Sequence, residues 1–569
     1  MFDFSRAMAC RYAFAIGLLG LAPAAFAQTP QTRTVTTAPA ALTIEPAATT
    51  RPEGRRARYL ERVGRIRDHH LSTELRESSK PVTSRISQER SIIKPKPRRV
   101  NLSKDVVIED QGSVTGTAGI DYYWASPISE PTIAVAEYGT MATGNWYAAR
   151  SLTNGKKFEL VDPYKAFGTD TVGGGFCCDQ VTIYDKKRQL MIWFMQGKKG
   201  TTGNNTVKFL VSRGKEAFEA GQWREFAYDT RSMFGEEGIW LDFPDLAVTN
   251  GFLYATLNAF NAHDIYQFTA VMRLPLDALA AGSNVELKVV NYDVFSLRLT
   301  QGNNLDRIYF AGHADTGELT VFSWADNEDA PSPTHRIAVE RWYQVRHSDT
   351  GNAEGPNRHP WIGDRCDSRV TAGWVTETEI GFAWTAARDN RFFRPQVRVA
   401  IIPRSAIDAA GEPSVPITPT YEPHIWSHNV GIAYPAAGVN GLGQVGLSIA
   451  FAGPRNHPSH AVGFLSRVGP PSDWSWQLKV ARAGLSGPKK IIDEKWVKFG
   501  IWGDYFSVRP HPVNPRAWVT LGYTLQNEDR DEALKAVAEY TIFSARGAGT
   551  STTPVVENPT PGLRAETRP

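Results

Sequence analysis

Acidic residues recur at the starts of short apolar segments along the 569-residue sequence. Asp179 opens one such segment and Asp367 opens another. Carboxyl groups that converge from several strands can bind a hard cation, or act as a general acid beside an ionised base. They can instead cap turns by accepting backbone N–H bonds, and both hypotheses stay open here. The candidates are Glu130, Asp179, Asp242, Asp245, Asp306, Asp367 and Asp504.

Arginine and tyrosine residues accompany these acids. Arg307, Arg369 and Arg509 lie on or beside the same segments, and a planar guanidinium is a natural ligand for a sugar carboxylate or sulfate. Asp367 and Arg369 share one face of a strand, so an internal ion pair is the alternative. We predict Asp179, Asp245, Asp367, Asp504 and Tyr505 as catalytic residues, and Arg307, Arg369 and Tyr434 as substrate-binding residues.

The elements that would position these residues repeat along the chain. A strand start, a turn and a second strand rich in aromatic and β-branched residues return at anchors separated by 49 to 70 residues. That spacing fits one four-stranded blade with loop insertions, and a β-sandwich would not repeat at so long a period. We therefore predict an all-β propeller of seven blades, with six or eight as alternatives. The anchors are Pro131, Gln180, Pro244, Asp306, Ser368, Pro435 and Tyr505.

The ends of the chain differ from this repeat. Residues 1–27 have the charge, apolar run and Ala25-Phe26-Ala27 of a secretory signal peptide, which predicts export to the periplasm or outside the cell. Residues 28–100 form a predicted disordered arm with a short helix, and residues 51–99 hold 15 Lys and Arg against 6 Asp and Glu. The propeller is predicted over 101–545, followed by a disordered tail over 546–569.

Three cysteines remain after Cys10 is removed with the signal peptide, so at least one thiol is unpaired in a monomer. Cys178 and Cys366 precede equivalent aspartates, but their blades lie across the ring from each other. A vicinal Cys177–Cys178 disulfide and a loop that carries one cysteine inward both stay open. In either case we expect covalent bracing rather than a reactive thiol.

Several classes of function lack a signal in the sequence. There is no nucleophile elbow, phosphate-binding loop or dinucleotide fingerprint. Two histidine pairs, His424 with His428 and His457 with His460, have spacings seen in metal sites but are predicted to lie in Pro-bearing loops without a zinc pattern. We expect no protein-bound metal or cofactor, apart from a divalent cation such as calcium in the channel. We also expect a monomer with no nucleic-acid partner and no transmembrane segment.

One short motif resembles a known family. Ser151-Leu152-Thr153-Asn154-Gly155-Lys156-Lys157-Phe158 resembles a degenerate Asp-box, with Thr153 at the position of the aspartate. Residues 120–543, including Tyr434-Pro435 and Trp502-Gly503-Asp504-Tyr505, resemble exported bacterial sialidase-like propeller proteins. Sialidases use three arginines, a tyrosine nucleophile with a glutamate partner, and an aspartate acid/base. The residues here do not correspond one by one to that set.

The leading hypothesis is an exported propeller that binds an acidic glycan, or an anionic cell-surface polymer, at its channel face, and whether it also cleaves the glycan stays open. It requires a carboxyl group that neither backbone nor arginine engages. A non-catalytic scaffold is the first alternative. The second is a polysaccharide lyase, which would use Tyr434 with a histidine such as His313 or His428.

Overall fold

The computed structural model describes residues 32–47, 58, 61–62, 101–117, 119–345, 354–362, 365–409, 415–492, 495–498, 500–526 and 535–546. Seven sheets form a seven-bladed β-propeller, which confirms the predicted fold class. The predicted signal peptide, most of the basic arm and nearly all of the C-terminal tail lie outside the described residues. Within them, no helix is long and apolar enough to cross a membrane.

Each of the first four blades is built from successive antiparallel strands, numbered here from the channel outward. Blade 1 consists of Thr132–Ala136, Gly139–Gly144, Tyr147–Ser151 and Glu159–Val161. Blade 2 consists of Phe176–Asp185, Leu190–Gly197, Thr206–Arg213 and Gln222–Asp229. Blade 3 consists of Ile239–Val248, Phe252–Asn261, Tyr266–Pro275 and Val285–Tyr292. Blade 4 consists of Arg298–Leu299, Arg307–Asp315, Glu318–Ala325 and His335–Ala338.

The other three blades are less uniform. Blade 5 consists of Val370–Val375, Glu379–Ala386 and Gln396–Pro403, and bridges from Tyr421 and Ile425 take the place of a fourth strand. Blade 6 consists of Gly431–Val439, Val445–Gly453, Asn456–Ser466 and Ser475–Gly484. Blade 7 contains Ser507–Pro510, Ala517–Leu525 and Ala536–Ala545. A hairpin of Lys489–Ile492 and Lys495–Lys498 lies between blades 6 and 7 in sequence.

Short helices cover turns between strands. They are Pro163–Phe167, Gly214–Glu219, Thr230–Phe234, Leu276–Ala281 and Arg404–Asp408. Asp162 and Asp229 cap two of them by accepting backbone N–H bonds.

Core residues explain why the strands take this arrangement. Every residue of Leu190–Gly197 is buried, because each blade packs another blade against both of its faces. Such a strand reads as a continuous apolar run rather than an alternating one. The core includes Trp193, Trp324, Trp374 and Trp518. Large aromatic residues therefore fill the wedge between blades.

Blade 4 corrects one predicted anchor. Its innermost strand is Arg298–Leu299, and the strand that begins at Arg307 is the second one. Asp306, predicted to start an inner strand, precedes the second strand, and its side chain is 81% exposed. The two-residue inner strand is too short to give a repeat signal in the sequence. Asp306 therefore does not join the acids of the channel.

Blade 7 is closed by a strand from the N-terminal part of the chain. Val106–Ser113 pairs antiparallel with Ala536–Ala545 and forms the outermost strand. Glu539–Phe543 therefore belongs to the third strand of this blade rather than to its outermost one. Asn101–Leu102 similarly adds to the outer strand of blade 6.

Residues 32–47 also correct the predicted disorder. Thr32–Thr37 adds a fifth strand to blade 3, and Ala40–Thr43 adds one to blade 2. Ala47 then donates its N–H to Leu160 O in blade 1 at 2.8 Å. This stretch, which we call the belt, is rich in Thr, Ala and Pro. It pairs through its backbone and leaves one side in water.

The predicted turn motif at Ser151 joins the third and fourth strands of blade 1. Ser151 Oγ accepts the Gly155 N–H at 3.0 Å, and Thr153 Oγ1 accepts the Lys157 N–H at 2.9 Å. Asn154 and Gly155 have φ values of 50° and 83°, and Phe158 is buried beneath them. The motif therefore acts as a structural turn in this chain.

Candidate functional site

The innermost strands begin at the same end of the channel, and we call that end the mouth. Strained backbone marks it. Five residues other than glycine, each in a different blade, have positive φ just before an inner strand or at a register shift within one. Such a residue costs about 1–3 kcal/mol. The five residues are Glu130, Phe243, Ser296, Ser368 and Tyr434, with φ between 45° and 61°. Strain repeated at one end of the fold indicates a place where side-chain position matters more than local stability.

Arg365 is at the centre of the mouth. Its Nε and Nη2 donate to Asp504 at 3.0 and 2.6 Å, and Nη2 also donates to Glu130 at 2.8 Å. Burial opposes ionisation of Asp504, but the charge of Arg365 outweighs it and holds the pKa of Asp504 below its usual value. The network joins blades 1, 5 and 7 with an ionised carboxylate.

Glu130 and Asp179 form a carboxyl pair beside this network. Glu130 is 1% exposed and Asp179 is 6% exposed, and their side chains are hydrogen-bonded to each other. Burial and the neighbouring Asp179 raise the pKa of Glu130 well above its usual value. Burial and Asp242 raise the pKa of Asp179 to about 7. The pair therefore retains a proton near neutral pH while Asp504 stays ionised, a separation typical of acid and base roles.

Within the described chain, neither an arginine nor a backbone N–H hydrogen-bonds to Asp179, and the same holds for Asp242. Asp504 is bound by Arg365, and Asp367 is bound by Arg369 Nε at 2.6 and 2.8 Å. The predicted ion pair between Asp367 and Arg369 is thus present. Asp242 accepts a hydrogen bond from Gln196 Nε2 at 2.7 Å.

Tyr505 and Phe243 give the mouth an aromatic wall. Their ring centroids are 5.5 Å apart, and the Arg369 guanidinium lies 3.9 Å from the centroid of Phe243. Burial, followed by Asp179 and Glu130, raises the pKa of Tyr505, so its phenol is neutral. Among the described residues, nothing hydrogen-bonds to that buried hydroxyl. Tyr505 could therefore offer a hydroxyl to a ligand.

A small cavity opens next to Arg365 and Arg369. Its volume is about 10 Å³, which is room for about one water molecule, so it suits a single small polar group rather than a sugar ring. Thr371 Oγ1 is buried on its wall and has no hydrogen-bond partner within the described chain. The lining residues are Arg365, Cys366, Asp367, Ser368, Arg369, Thr371, Thr385, Tyr434 and Asp504.

Tyr434 is fixed by its surroundings. Its hydroxyl donates to Trp502 O, and its N–H donates to Thr385 Oγ1 at 2.9 Å. A Cβ on Gly503 would lie 2.4 Å from the Tyr434 ring, so only glycine fits there. Tyr434 lines the cavity but presents its ring rather than a free hydroxyl.

The cysteines take one of the two arrangements that the sequence left open. Cys177 and Cys178 form a vicinal disulfide directly before Asp179. Cys366 is a free, buried thiol, and burial raises its pKa to about 12. A thiol that remains protonated in this way is a poor nucleophile.

Three predicted residues lie outside this group. Asp245 pairs with Arg298 at 3.1 Å and accepts from Leu299 N at 3.1 Å, and Arg509 is the other charge near it. Arg307, on a second strand, binds Glu328 at 3.1 Å instead of facing the channel. The structure therefore brings Asp179, Asp367, Arg369, Tyr434, Asp504 and Tyr505 together at the mouth, but not Asp245 or Arg307.

Arg365 is the functional candidate that sequence reasoning missed. It directly precedes Cys366 and Asp367, so the same strand-start pattern that selected those residues could have selected it. Glu130 was in the acidic ring but not among the predicted catalytic residues. Its pairing with Asp179 depends on contact between blades 1 and 2, which no local pattern encodes.

Metal binding gains no structural support. Among the described residues, no group of three or more His, Cys, Asp or Glu side chains is arranged to hold an ion. The divalent cation stays a prediction.

Comparisons with known proteins give no family. No family model matches the chain, and no curated protein matches its sequence. Solved structures with similar folds include extracellular domains 1–2 of Drosophila Semaphorin 1b, at 8% identity and TM-score 0.36, covering 78% of this chain and 87% of that one. The intramolecular trans-sialidase from Ruminococcus gnavus is 9% identical, with TM-score 0.32 and coverage of 73% and 94%. The phage phi92 endosialidase is 8% identical, with TM-score 0.34 and coverage of 79% and 71%. At this distance the likeness says nothing of ligand or activity.

Proposed function

We propose that the protein binds an acidic glycan at the mouth and cleaves it by general acid catalysis. The observation that carries this proposal is the hydrogen-bonded pair of Glu130 and Asp179, which retains a proton beside the ionised Asp504. A buried acid with a pKa near neutrality suits proton donation to a leaving oxygen. The proposal keeps the substrate class predicted from sequence and changes the acid to this pair.

The arginines would recognise the acidic substituent. All side-chain hydrogen bonds of Arg365 and Arg369 within the described chain use Nε and Nη2, which leaves Nη1 of each available. The adjoining cavity has room for about one water-sized group, such as a single oxygen of an acidic substituent, and within the described chain its Thr371 hydroxyl has no hydrogen-bond partner. Guanidinium and hydroxyl donors around a small cavity suit a carboxylate or a sulfate.

The carboxyl groups also limit the type of hydrolysis. Glu130 and Asp504 accept from the same Arg365 nitrogen, at 2.8 and 2.6 Å, so their oxygens lie closer than the about 6.5 Å that an inverting mechanism requires. Space for a water molecule between them is therefore lacking. Retention of configuration is the outcome that this geometry favours.

Export is part of the proposal. The signal-peptide pattern of residues 1–27 and a disulfide both suit an oxidising compartment outside the cytoplasm. We propose the periplasm or the extracellular space.

The test is a panel of fluorogenic glycosides and acidic oligosaccharides with wild-type protein, Glu130→Gln and Asp179→Asn. Asp329→Asn is the matched control, because its side chain is fully exposed and pairs with Lys288 at the surface. We expect turnover that falls about 100-fold or more in both mouth variants and not in the control. Turnover that both folded mouth variants retain would contradict the proposal.

A non-catalytic scaffold is the second candidate. The observation in its favour is that the carboxylates of Asp367 and Asp504 are already bound by Arg369 and Arg365. Binding without turnover across the panel would support it. The lyase hypothesis gains no such support, because His313 is buried, with burial lowering its pKa to about 3, and the Tyr434 hydroxyl is bonded to backbone.

A further inference from the structure

Two exposed aromatic side chains lie on the mouth side of blade 5. Tyr343 is 56% exposed and Phe393 is 62% exposed. Tyr343 belongs to the loop between blades 4 and 5, and Phe393 belongs to the loop between the second and third strands of blade 5. The other strongly exposed large apolar residues of the described chain are aliphatic. These two rings are therefore distinct from ordinary scattered surface residues.

A buried ion cluster joins the two loops. Glu340, from the loop of Tyr343, binds Arg391 and also Arg398 at 3.2 Å. Arg398 is fully buried and binds Asp389, from the loop of Phe393, at 2.6 Å. His424 completes the cluster, with Nε2 3.1 Å from Glu340. Removing these charged side chains from water costs free energy. A protein in which apolar residues replace such an ion cluster is often at least as stable as one that keeps it.

The rings rest on a rigid base. Phe392 is buried, with its ring 5.5 Å from that of Trp426 and 4.7 Å from the Arg398 guanidinium. The Phe393 ring lies 5.8 Å from His428. The cluster thus links the loops that carry the two rings, and His428 contacts the Phe393 ring. Fixing the loops in this way lowers the entropy that a ligand must overcome.

The rings are also continuous with the mouth. Tyr343 O accepts the Ala387 N–H at 2.8 Å, directly after the second strand of blade 5. Val345, two residues beyond Tyr343, donates to Ser368 Oγ at 2.8 Å, and Ser368 lines the mouth cavity. A ligand that leaves the mouth towards blade 5 would therefore meet these rings next.

We propose that Tyr343 and Phe393 form an outer subsite that stacks on sugar rings of the same glycan chain whose end lies in the mouth. This inference rests on the proposed function. A pyranose ring has an apolar C–H face that can cover an aromatic ring while its hydroxyl groups remain in water. Arg391, two residues before Phe393 in the same loop and 37% exposed, offers a cation to an acidic sugar.

The experiment is calorimetric titration of wild-type protein, the double variant Tyr343→Ala/Phe393→Ala, and Glu130→Gln. Two ligand series are used, oligosialic acid and hyaluronan oligosaccharides, each from its shortest to its hexameric form. Val468→Ala is the control, because Val468 is 80% exposed at the opposite end of the blades, next to the Arg467–Glu379 pair. Thermal melting verifies that each variant is folded.

We expect wild-type affinity to rise with chain length. The double variant should lose about tenfold in affinity for the hexamer, equivalent to about 1.4 kcal/mol, with no change for the shortest ligand. If the double variant keeps full hexamer affinity while Glu130→Gln loses it, the outer subsite is wrong and the proposed function stands. If wild-type protein binds neither series, both are overturned.

Discussion

Arg365 donates hydrogen bonds from Nε and Nη2 to Asp504. The two residues precede blades 5 and 7, which are not neighbours in the ring. Blade 6 lies between blade 5, which begins after Arg365, and blade 7, which begins after Asp504. The pair therefore connects two blades across the mouth through buried, oppositely charged side chains. Removing it should lower the stability of the whole propeller.

Replacement of Arg365 by Met should lower the free energy of unfolding by about 3–5 kcal/mol, because Asp504 and Glu130 would lose the cation that compensates their burial. Urea denaturation measures the change. Arg336→Met is the control, since its pair with Glu318 is 55% exposed on the arginine side and such pairs contribute about 1 kcal/mol or less. Equal losses in the two variants would show that the mouth network does not differ from a surface pair.

Asp179 should make stability depend on pH. Its folded pKa of about 7 lies above the unfolded value, so its contribution to stability is fully present below about pH 4 and is lost as the pH rises through 7. Asparagine does not titrate, so Asp179→Asn should not lose stability as the pH rises through 7. Relative to wild type, the variant should gain on the order of 2–4 kcal/mol between pH 4 and pH 8.

Urea denaturation at several pH values tests this dependence. Asp329→Asn should run parallel to wild type over the same range, because that side chain is fully exposed. Parallel curves for Asp179→Asn as well would mean that Asp179 titrates normally in the folded protein.

The belt should contribute to stability through one face only. Val35 packs against the core of blades 2 and 3, whereas the neighbouring Thr36 is exposed. Val35→Lys should therefore cost about 1–3 kcal/mol, and Thr36→Lys should cost less than about 0.5 kcal/mol. Thermal or urea unfolding distinguishes the two. Similar values for both would indicate that the belt is not docked in solution.

Thiol titration checks the cysteine arrangement. Denatured, unreduced protein from which residues 1–27 have been removed should react at Cys366 alone, and reduction should expose Cys177 and Cys178 in addition. The double variant Cys177→Ser/Cys178→Ser should retain most of its stability, because a bridge between adjacent residues closes almost no loop. Three reactive thiols before reduction would contradict the disulfide.

The sequence predicts the blades well where the inner strand is long and apolar. Phe176–Asp185 and Ile239–Val248 each carry their own strand and turn signals, so both were located correctly. Arg298–Leu299 is too short to carry a strand signal of its own. Without that signal, the sequence places the anchor of blade 4 at Asp306 instead. Long-range pairing is equally hidden, and for that reason the belt, which is rich in Thr, Ala and Pro, is predicted from sequence to be disordered.

Prediction of the site has the same limit. Asp179, Asp367, Asp504 and Tyr505 follow from their place at strand starts. The partner of each acid depends on neighbouring blades and on side-chain direction, so Arg365 and the role of Glu130 emerge only in three dimensions. Arg307 shows the opposite error, since the sequence selects a residue that does not belong to the site. The strand that begins at Arg307 is the second of blade 4 rather than the innermost, so its side chain does not face the channel.

The closing strand of blade 7 has a consequence for how the chain is made. Asp110 and Tyr540 are hydrogen-bonded across a separation of 430 residues. At about 5–20 residues per second, Val106–Ser113 leaves the ribosome tens of seconds before its partner strand exists. Until synthesis is complete, the ring must remain open and the waiting strand must avoid pairing elsewhere. The last blade to be translated therefore closes the ring. The propeller can fold and unfold as one cooperative unit only after the strand Ala536–Ala545 has been made.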